Sequence, residues 1–588
     1  MQIDGVRDQL DSIVVKQLRD FDPAALALKT RRGPGYNYHT NIRNAEVHMI
    51  RESFYLSLCL LDRQAEGDVE LASSIIDRLL DYQELDRESP YYGIWPYYIE
   101  EPITQMGSPD RNWADFCGKS LIQAAADYAG VLPASLVDRM KTAVEAAAVS
   151  IMRRNVMPSY TNICVMGTYV TLLAGEMVGN EELFQYGRSK LKLFHEYCTY
   201  HGAFTEYNSP TYTVVTIEDL SLMRKHIHDE DSIALVTELL DMAWASVAEH
   251  FHAPTGQWAA PHSRCYDTLQ GHGLLSFLQL ASGGKLRMLD ESELEIGALW
   301  PRVGLQIPDL YLPYFQKERT TSFTEKTIVK GKTQLLAASY MTPHYTLGSF
   351  NHCDLWNQRR PLGAYWGEKG QASYLRFRCL HDQYDFSSSL LHNVQHRNMV
   401  LGIAHFCSDH GDKHFTLDPI QGRVTVSSLR FRFEFGGNLN RLSMPELAFG
   451  KPLLIQTSHV KIGLILNECK FGNYQPRLEV TQESAITSLD VVLYEGEPID
   501  IDLSALEEAH LVFGLILEKA DCEDEEILTR LSAVRLEKKD RIHVAYNDAF
   551  MKLQLGVQAG VIPFSKVMER ASCHKETHIE SDKPVWSV

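Results

Sequence analysis

Through the first half of the chain, apolar residues return every three to four positions. The pattern runs through Asn44 to Leu61, Leu71 to Leu85, Ser120 to Tyr128, Ala134 to Met152 and Val165 to Val178. It continues through Glu181 to Tyr197, Ile217 to His228 and Ser232 to His250. This spacing predicts amphipathic helices, each burying one stripe. Pro and Gly clusters such as Arg32-Gly-Pro-Gly35 and Gly107-Ser-Pro109 punctuate them. Helices in pairs, joined by alternating short turns and long loops, suit an (α/α) toroid. No fixed-period repeat is visible, which weakens a plain helical solenoid.

The pattern changes between Leu310 and Thr324. Beyond it, β-branched and aromatic residues alternate with polar ones at Lys326 to Lys330, Gln334 to Tyr340, Arg423 to Phe435, His459 to Leu466, Leu489 to Tyr494, His510 to Leu517 and Arg541 to Tyr546. Period-two alternation with Gly, Asn and Asp turns predicts antiparallel strands and a sandwich. The expected fold is α+β and multidomain: an N-terminal (α/α) toroid over 1–315, then a C-terminal antiparallel β-sandwich over 316–588.

Composition narrows the function more than the fold. With 588 residues and 45% hydrophobic content, the chain can bury large cores. A net charge of −19 disfavours nucleic acid and anionic membranes as partners. It leaves room for an anionic sugar, because a local Arg and His cluster can invert the field within a cleft. The N-terminus shows no basic start followed by an apolar run, and no apolar run reaches spanning length. The 11 cysteines are unpatterned, as in a reduced, cytoplasmic protein. The sequence leaves a homo-oligomer open.

Two short segments hold the candidate chemistry. Tyr160-Thr161-Asn162-Ile163 opens one helical hairpin, and Gly202-Ala-Phe-Thr-Glu206-Tyr207-Asn208-Ser209-Pro210-Thr211-Tyr212 follows it. The second resembles the Gly-x-x-x-Glu-x-Ser-Pro-x-Tyr element of polysaccharide lyases of the heparinase II/III and oligo-alginate lyase type, with one residue inserted. The first resembles that superfamily's Asn-Asn-His element, with Ile163 where the His stands. Phe350-Asn-His352-Cys-Asp354 resembles its His-x-His-x-Asp element, with Phe350 at the first His. Gln395-His396-Arg397-Asn398-Met-Val400 loosely resembles its Ala-His-Asn-Thr-Val element. The resemblance implies a divergent subfamily that cleaves a 4-O-linked uronic acid by β-elimination in an anionic oligosaccharide or polysaccharide. It implies Tyr212 as base and acid in a syn elimination.

That reaction removes a weakly acidic C5 proton, so the adjacent carboxylate must be neutralised by aimed donors. Asn162 suits this role, with His262 and Arg264 of Pro261-His-Ser-Arg-Cys-Tyr266 adding a donor and a cation. A free Tyr titrates near ~10. Positive charge must lower that value, or His201, His262 or His352 must accept the proton. Glu206 and Tyr207 belong to the same element, Glu206 orienting its neighbours. Tyr91-Tyr-Gly-Ile-Trp95-Pro-Tyr97-Tyr98, with Asn112, Trp113 and Asp115, suits a sugar-binding loop. Tyr36-Asn-Tyr38-His39 is a further rim.

Each assignment has a plainer rival. Tyr212 and the aromatic loop could be inner-ring packing, and Asn162 an N-cap. The reaction requires no cofactor; His352 and His396 could hold a structural zinc, as in some relatives, or be ordinary core histidines. A glycoside hydrolase on the same toroid would draw paired carboxylates from Glu100, Glu101, Asp115 and Glu206. A non-catalytic carbohydrate-binding scaffold is the third reading. No GxGxxG, Walker loop or GxSxG elbow is present.

Overall fold

The computed structural model describes residues 6–35, 37–316, 320–331, 334–409, 420–439, 442–538, 541–558, 560–567 and 571–577. After α1 (Val6–Leu18) and a short sheet within Phe21–Met49 come the paired helices α2 (Ile50–Arg63), α3 (Asp68–Leu80), α4 (Trp113–Tyr128), α5 (Ala134–Arg154), α6 (Thr161–Val178), α7 (Glu181–His201), α8 (Tyr212–His226), α9 (Glu230–His250) and α10 (His272–Ala281). Helices α2, α4, α6 and α8 touch in series and form the inner ring. Helices α3, α5, α7 and α9 flank them outside.

Local chemistry sets several of these boundaries. The Asn180 side chain accepts from Leu183 N at the start of α7, and Asp229 does the same for Ser232 at the start of α9. Gly202 ends α7 at φ 75, a left-handed turn that suits glycine and redirects the chain into the loop before α8. Helix α6 is long and apolar enough to cross a membrane, contrary to the sequence expectation, but 83% of it is buried inside the toroid. A helix apolar on all sides belongs in a core, and α4, α5, α7 and α8 enclose it.

From Ser322 onward the chain is mainly antiparallel sheet. A nine-stranded sheet has Ser322–Val329 at one end and Arg477–Glu483 at the other. A six-stranded sheet, including Ser389–His396, Met399–Phe406 and Ala509–Lys519, lies against it. Phe377, Phe431, Phe433, Phe406 and Phe513 fill the space between them. The sequence expectation of a sandwich holds, with one addition. A third, four-stranded sheet within Arg535–Thr577 and the helix Asp524–Ser532 cover the outer face of the six-stranded sheet.

The two halves meet where the site lies. Ala203 and Tyr207 of the loop before α8 pack on Ile328, Ala337 and Phe350. Ala260 packs on Tyr365 and Tyr374. The approach is closest at Gly348, where an added Cβ would stand 1.9 Å from the Ala260 carbonyl oxygen. Only glycine lets the strand Tyr345–Phe350 lie this close to the 260–266 segment.

Candidate functional site

The two sequence segments converge at the mouths of α6 and α8. Asn162 is the second residue of α6 rather than its N-cap, which is Tyr160. Its backbone N–H, unpaired within the helix, donates to Glu206 Oε2 at 2.9 Å. Its side-chain Nδ2 donates to both Glu206 oxygens at 2.8 Å. Glu206 therefore caps α6 from the neighbouring loop, where a carboxylate also suits the helix dipole.

The loop from Ala203 to Thr211 is held by its own polar residues. Asn208, at φ 49, donates through Nδ2 to the carbonyls of Ala259 and Pro261, and accepts from Trp258 Nε1. Ser209 Oγ accepts from Tyr212 N at 2.9 Å, and the Ser209 carbonyl accepts from Thr213 N. The Ser-Pro corner thus starts α8 and leaves the Tyr212 side chain at its mouth.

Arg264 joins the two segments. Its Nη1 lies 3.5 Å from Glu206 Oε1, and its Nη2 donates to the Tyr212 hydroxyl at 2.9 Å. Its Nε donates to the side-chain oxygen of Gln358 at 2.9 Å. The guanidinium lies 4.6 Å from the Tyr212 ring centroid and 5.0 Å from that of Trp356. Each of its three nitrogens has a polar partner and two rings lie beside it, a geometry Lys could not reproduce. The Tyr212 hydroxyl also meets the hydroxyl of Tyr266 at 2.7 Å. The result is a continuous polar row: Asn162, Glu206, Arg264, Tyr212, Tyr266.

Burial sets the electrostatics. It pushes the Tyr212 phenol well above its ordinary pKa, and the bond to Tyr266 adds to the rise, while Arg264 opposes it. The same desolvation raises the Glu206 carboxyl from its ordinary pKa, against the pull of Arg264 and Asn162. Tyr212 therefore rests as a neutral phenol, with one cation in place for the moment it ionises.

A second wall adjoins the row. Tyr97 stacks on Trp113 at 3.9 Å, with Arg51 4.8 Å from the Trp113 ring, and donates to Asp110 Oδ2 at 2.8 Å. His39 lies 3.7 Å from the Tyr38 ring, its Nε2 3.5 Å from Asp110. Burial, with Asp110 and Tyr160 nearby, pushes the Tyr38 phenol up to about 12. Asn112 Oδ1 accepts from Arg154 at 2.9 Å. Tyr160, 42% exposed, connects this wall to the row. Burial raises its pKa, and it feels Glu206, Arg264, Asp110 and Asn112 together. Tyr36 of the expected rim lies outside the described residues.

Other expected site residues lie elsewhere. His262 is fully buried, its Nδ1 bonded to the Asn208 carbonyl at 2.6 Å, and burial lowers its pKa to about 3. It braces the loop and offers no donor to the Tyr212 hydroxyl. His201 packs on Tyr197 and Tyr200, and its Nδ1 accepts from Lys330 N. His352 bonds the Gln334 carbonyl at 3.1 Å, and burial lowers it to about 4. The expected proton-accepting histidine is therefore absent from the Tyr212 hydroxyl, whose partners are Arg264 and Tyr266. Tyr207 is buried between the halves, its hydroxyl bonded to His250. Trp95 is wholly buried and donates to the Leu79 carbonyl, so it is core and not a sugar platform.

The expected zinc pair does not assemble. His352 faces His392 across its strand pair, while His396 pairs with Met399 at the strand's end and packs on Phe323. Among the described residues, ligand groups close enough to share an ion are Glu468–Glu508–His510 and Glu518–Cys522–Glu526, and neither includes these histidines. The hydrolase's carboxylates are likewise committed. Glu100 bonds His48, Glu101 accepts from Asn41 N, Asp115 is sealed beside Arg154, and Glu206 holds Asn162.

The sequence reading gave no role to Tyr266, Trp356 or Gln358. No local pattern marks them: Trp356 and Gln358 lie in a turn closed by the bond from Arg359 N to the Trp356 carbonyl, and Arg264 and Tyr266 lie in an irregular segment.

A family defined as a domain of unknown function (DUF8769) matches residues 31–285. A comparison with curated proteins finds no match. Among solved structures, heparinase III is similar at a TM-score of 0.46 and 9% identity, over 98% of this chain and 91% of that one. Chondroitin AC lyase of Streptomyces coelicolor A3, in complex with chondroitin sulphate, is similar at 0.49 and 11%, over 95% and 87%. The heparan sulfate lyase HepC from Pedobacter heparinus is similar at 0.38 and 6%, over 97% and 90%. With likeness this distant, the functional reading rests on the site's own geometry.

Proposed function

We propose that this chain is a carbon–oxygen lyase that cleaves a 4-O-linked uronic acid in an anionic oligosaccharide or polysaccharide by β-elimination. The observation that carries the reading is the Tyr212 hydroxyl, bonded to Arg264 at 2.9 Å at the open mouth of α8. An acid–base phenol needs a neighbouring cation that favours its ionised form, and Arg264 is in place.

In this reading the Tyr212 phenolate takes the C5 proton. The C5–H electrons form the C4–C5 double bond, and the C4–O4 bond breaks. Tyr212 then returns the same proton to the departing O4, which restores the phenolate. Arg264 also supplies positive charge to the uronate carboxylate as the enolate-like charge grows. Asn162 works one step removed: its amide holds Glu206, and Glu206 holds one edge of Arg264. Tyr38, His39, Asn112 and Tyr160 form the wall that receives neighbouring sugars, while Trp113, expected as a sugar platform, is buried and stacked on Tyr97 and only backs that wall.

The test is a panel of uronate-containing glycans followed for the ultraviolet absorbance of an unsaturated product. Tyr212→Phe should bind glycan and lose turnover. A saturated product, or full activity in Tyr212→Phe, would sink the proposal.

A further inference from the structure

The Tyr212–Tyr266 contact does more than pack two rings. The Tyr212 oxygen already accepts the Arg264 Nη2 hydrogen. The hydroxyl hydrogen of neutral Tyr212 is then free to donate to the Tyr266 oxygen, 2.7 Å away. Tyr266 is 52% exposed, which leaves its own hydrogen room to reach the open side. Its backbone is fixed: the Tyr266 carbonyl accepts from Arg360 Nη2 at 3.2 Å, and Cys265 N donates to the Gln358 carbonyl at 2.7 Å. A mobile surface tyrosine would have neither restraint.

We infer that Tyr266 is the proton port of Tyr212, the group through which the buried phenol is ionised before turnover. The inference rests on the lyase reading above. The Tyr212 proton passes to the Tyr266 oxygen as the Tyr266 O–H bond breaks and its proton passes to a water. Tyr212 is left as a phenolate and Tyr266 as a neutral phenol, with one proton released. The Tyr266 hydroxyl then reverses its role and donates to the phenolate, which also accepts from Arg264. Two charge-assisted hydrogen bonds hold the anion. The groups around the pair are consistent with this direction: Arg264 from the same loop favours the anion, Glu206 opposes it from the loop before α8, and Trp356 and Gln358 from the sandwich are neutral. Removing Tyr266 takes away both the exit and one of the two donors.

The experiment compares wild type, Tyr266→Phe and Tyr212→Phe by the pH dependence of kcat/KM on a cleaved glycan and by titration of the near-ultraviolet tyrosinate band. Tyr266→Phe should keep KM within about twofold and lose roughly tenfold or more in kcat near neutral pH, the scale of one lost acid–base contact. Its rising limb should move to higher pH, so that part of the loss returns in alkali, and its earliest-titrating tyrosine should move the same way. An unshifted profile and unshifted titration would overturn the proton port. If Tyr212→Phe is itself active, the lyase reading falls. If it is inactive while Tyr266→Phe matches wild type, only the port is withdrawn.

Discussion

The Gln358 side-chain oxygen accepts the Arg264 Nε hydrogen at 2.9 Å, so a residue of the sheet half aims a cation that belongs to the helical half. Arg359 strengthens the clasp by donating to the Ser263 carbonyl, and the His262 and Arg360 backbones bond to each other in both directions. Gln358→Ala removes neither Tyr212 nor Arg264 but frees the fork to swing away from the phenol. The expected result is a fall in kcat of about 10- to 100-fold, the scale of a small misplacement of a reacting group. The melting temperature should barely change. Initial rates and a thermal melt decide it, and an unchanged kcat would show that Gln358 aims nothing.

Arg264→Lys keeps the charge and discards the geometry. One ammonium cannot serve Glu206, Tyr212 and Gln358 together or fill the gap between the Tyr212 and Trp356 rings. We expect kcat/KM to fall by about 10²- to 10³-fold, the range for losing one aimed donor in a partly dry site. Steady-state rates on the cleaved glycan test this, and a loss under tenfold would contradict it.

Gly348→Ala tests the seam between the halves. The new methyl would meet the Ala260 carbonyl oxygen and Pro261 nitrogen, backbone atoms that cannot rotate away. Overpacking of this kind costs about 1–3 kcal/mol. The 260–266 segment should shift and carry Arg264 and Tyr266 with it. A lowered melting temperature together with lost turnover is expected. Full activity with a normal melt would show that the close approach is tolerant.

Acid should destabilise the sheet half through buried histidines. His392 and His405 stack at 4.9 Å, and burial lowers both, His405 to about 4. An unfolded histidine titrates near ~6.5. Between those values the unfolded chain binds protons that the folded chain refuses, so stability is full above the unfolded pKa and falls as pH drops toward the folded one. The melting temperature should fall between pH of about 6.5 and 4. His405→Leu should flatten that fall, and an unaltered slope would remove these rings as its cause.

How much of this was legible in the chain depends on the range of the interaction. Helices such as α5 and α9 show themselves because one face is wet and one is dry. Ser389–His396 and Met399–Phe406 are buried on both faces, so alternation never marks them. The third sheet was hidden for another reason: strand patterning does not say which strands pair. Glu206, Ser209 and Tyr212 could be read from one local element, since the corner that starts α8 is written in consecutive residues. Gln358 could not, because it meets Arg264 from 94 residues away. The histidines misled because residue type does not disclose burial, and a sealed imidazole such as His262, its Nδ1–H held by the Asn208 carbonyl, does not reach the Tyr212 hydroxyl.

The seam at Gly348 also bears on exchange of the halves. A truncated chain ending after α10 would still carry Asn162, Glu206, Tyr212 and Arg264. It would have no Trp356 beneath the guanidinium and no amide to steer it. An exchange of either half for a distantly similar one would keep Arg264 in place only if it also brought a matching glycine, amide and indole.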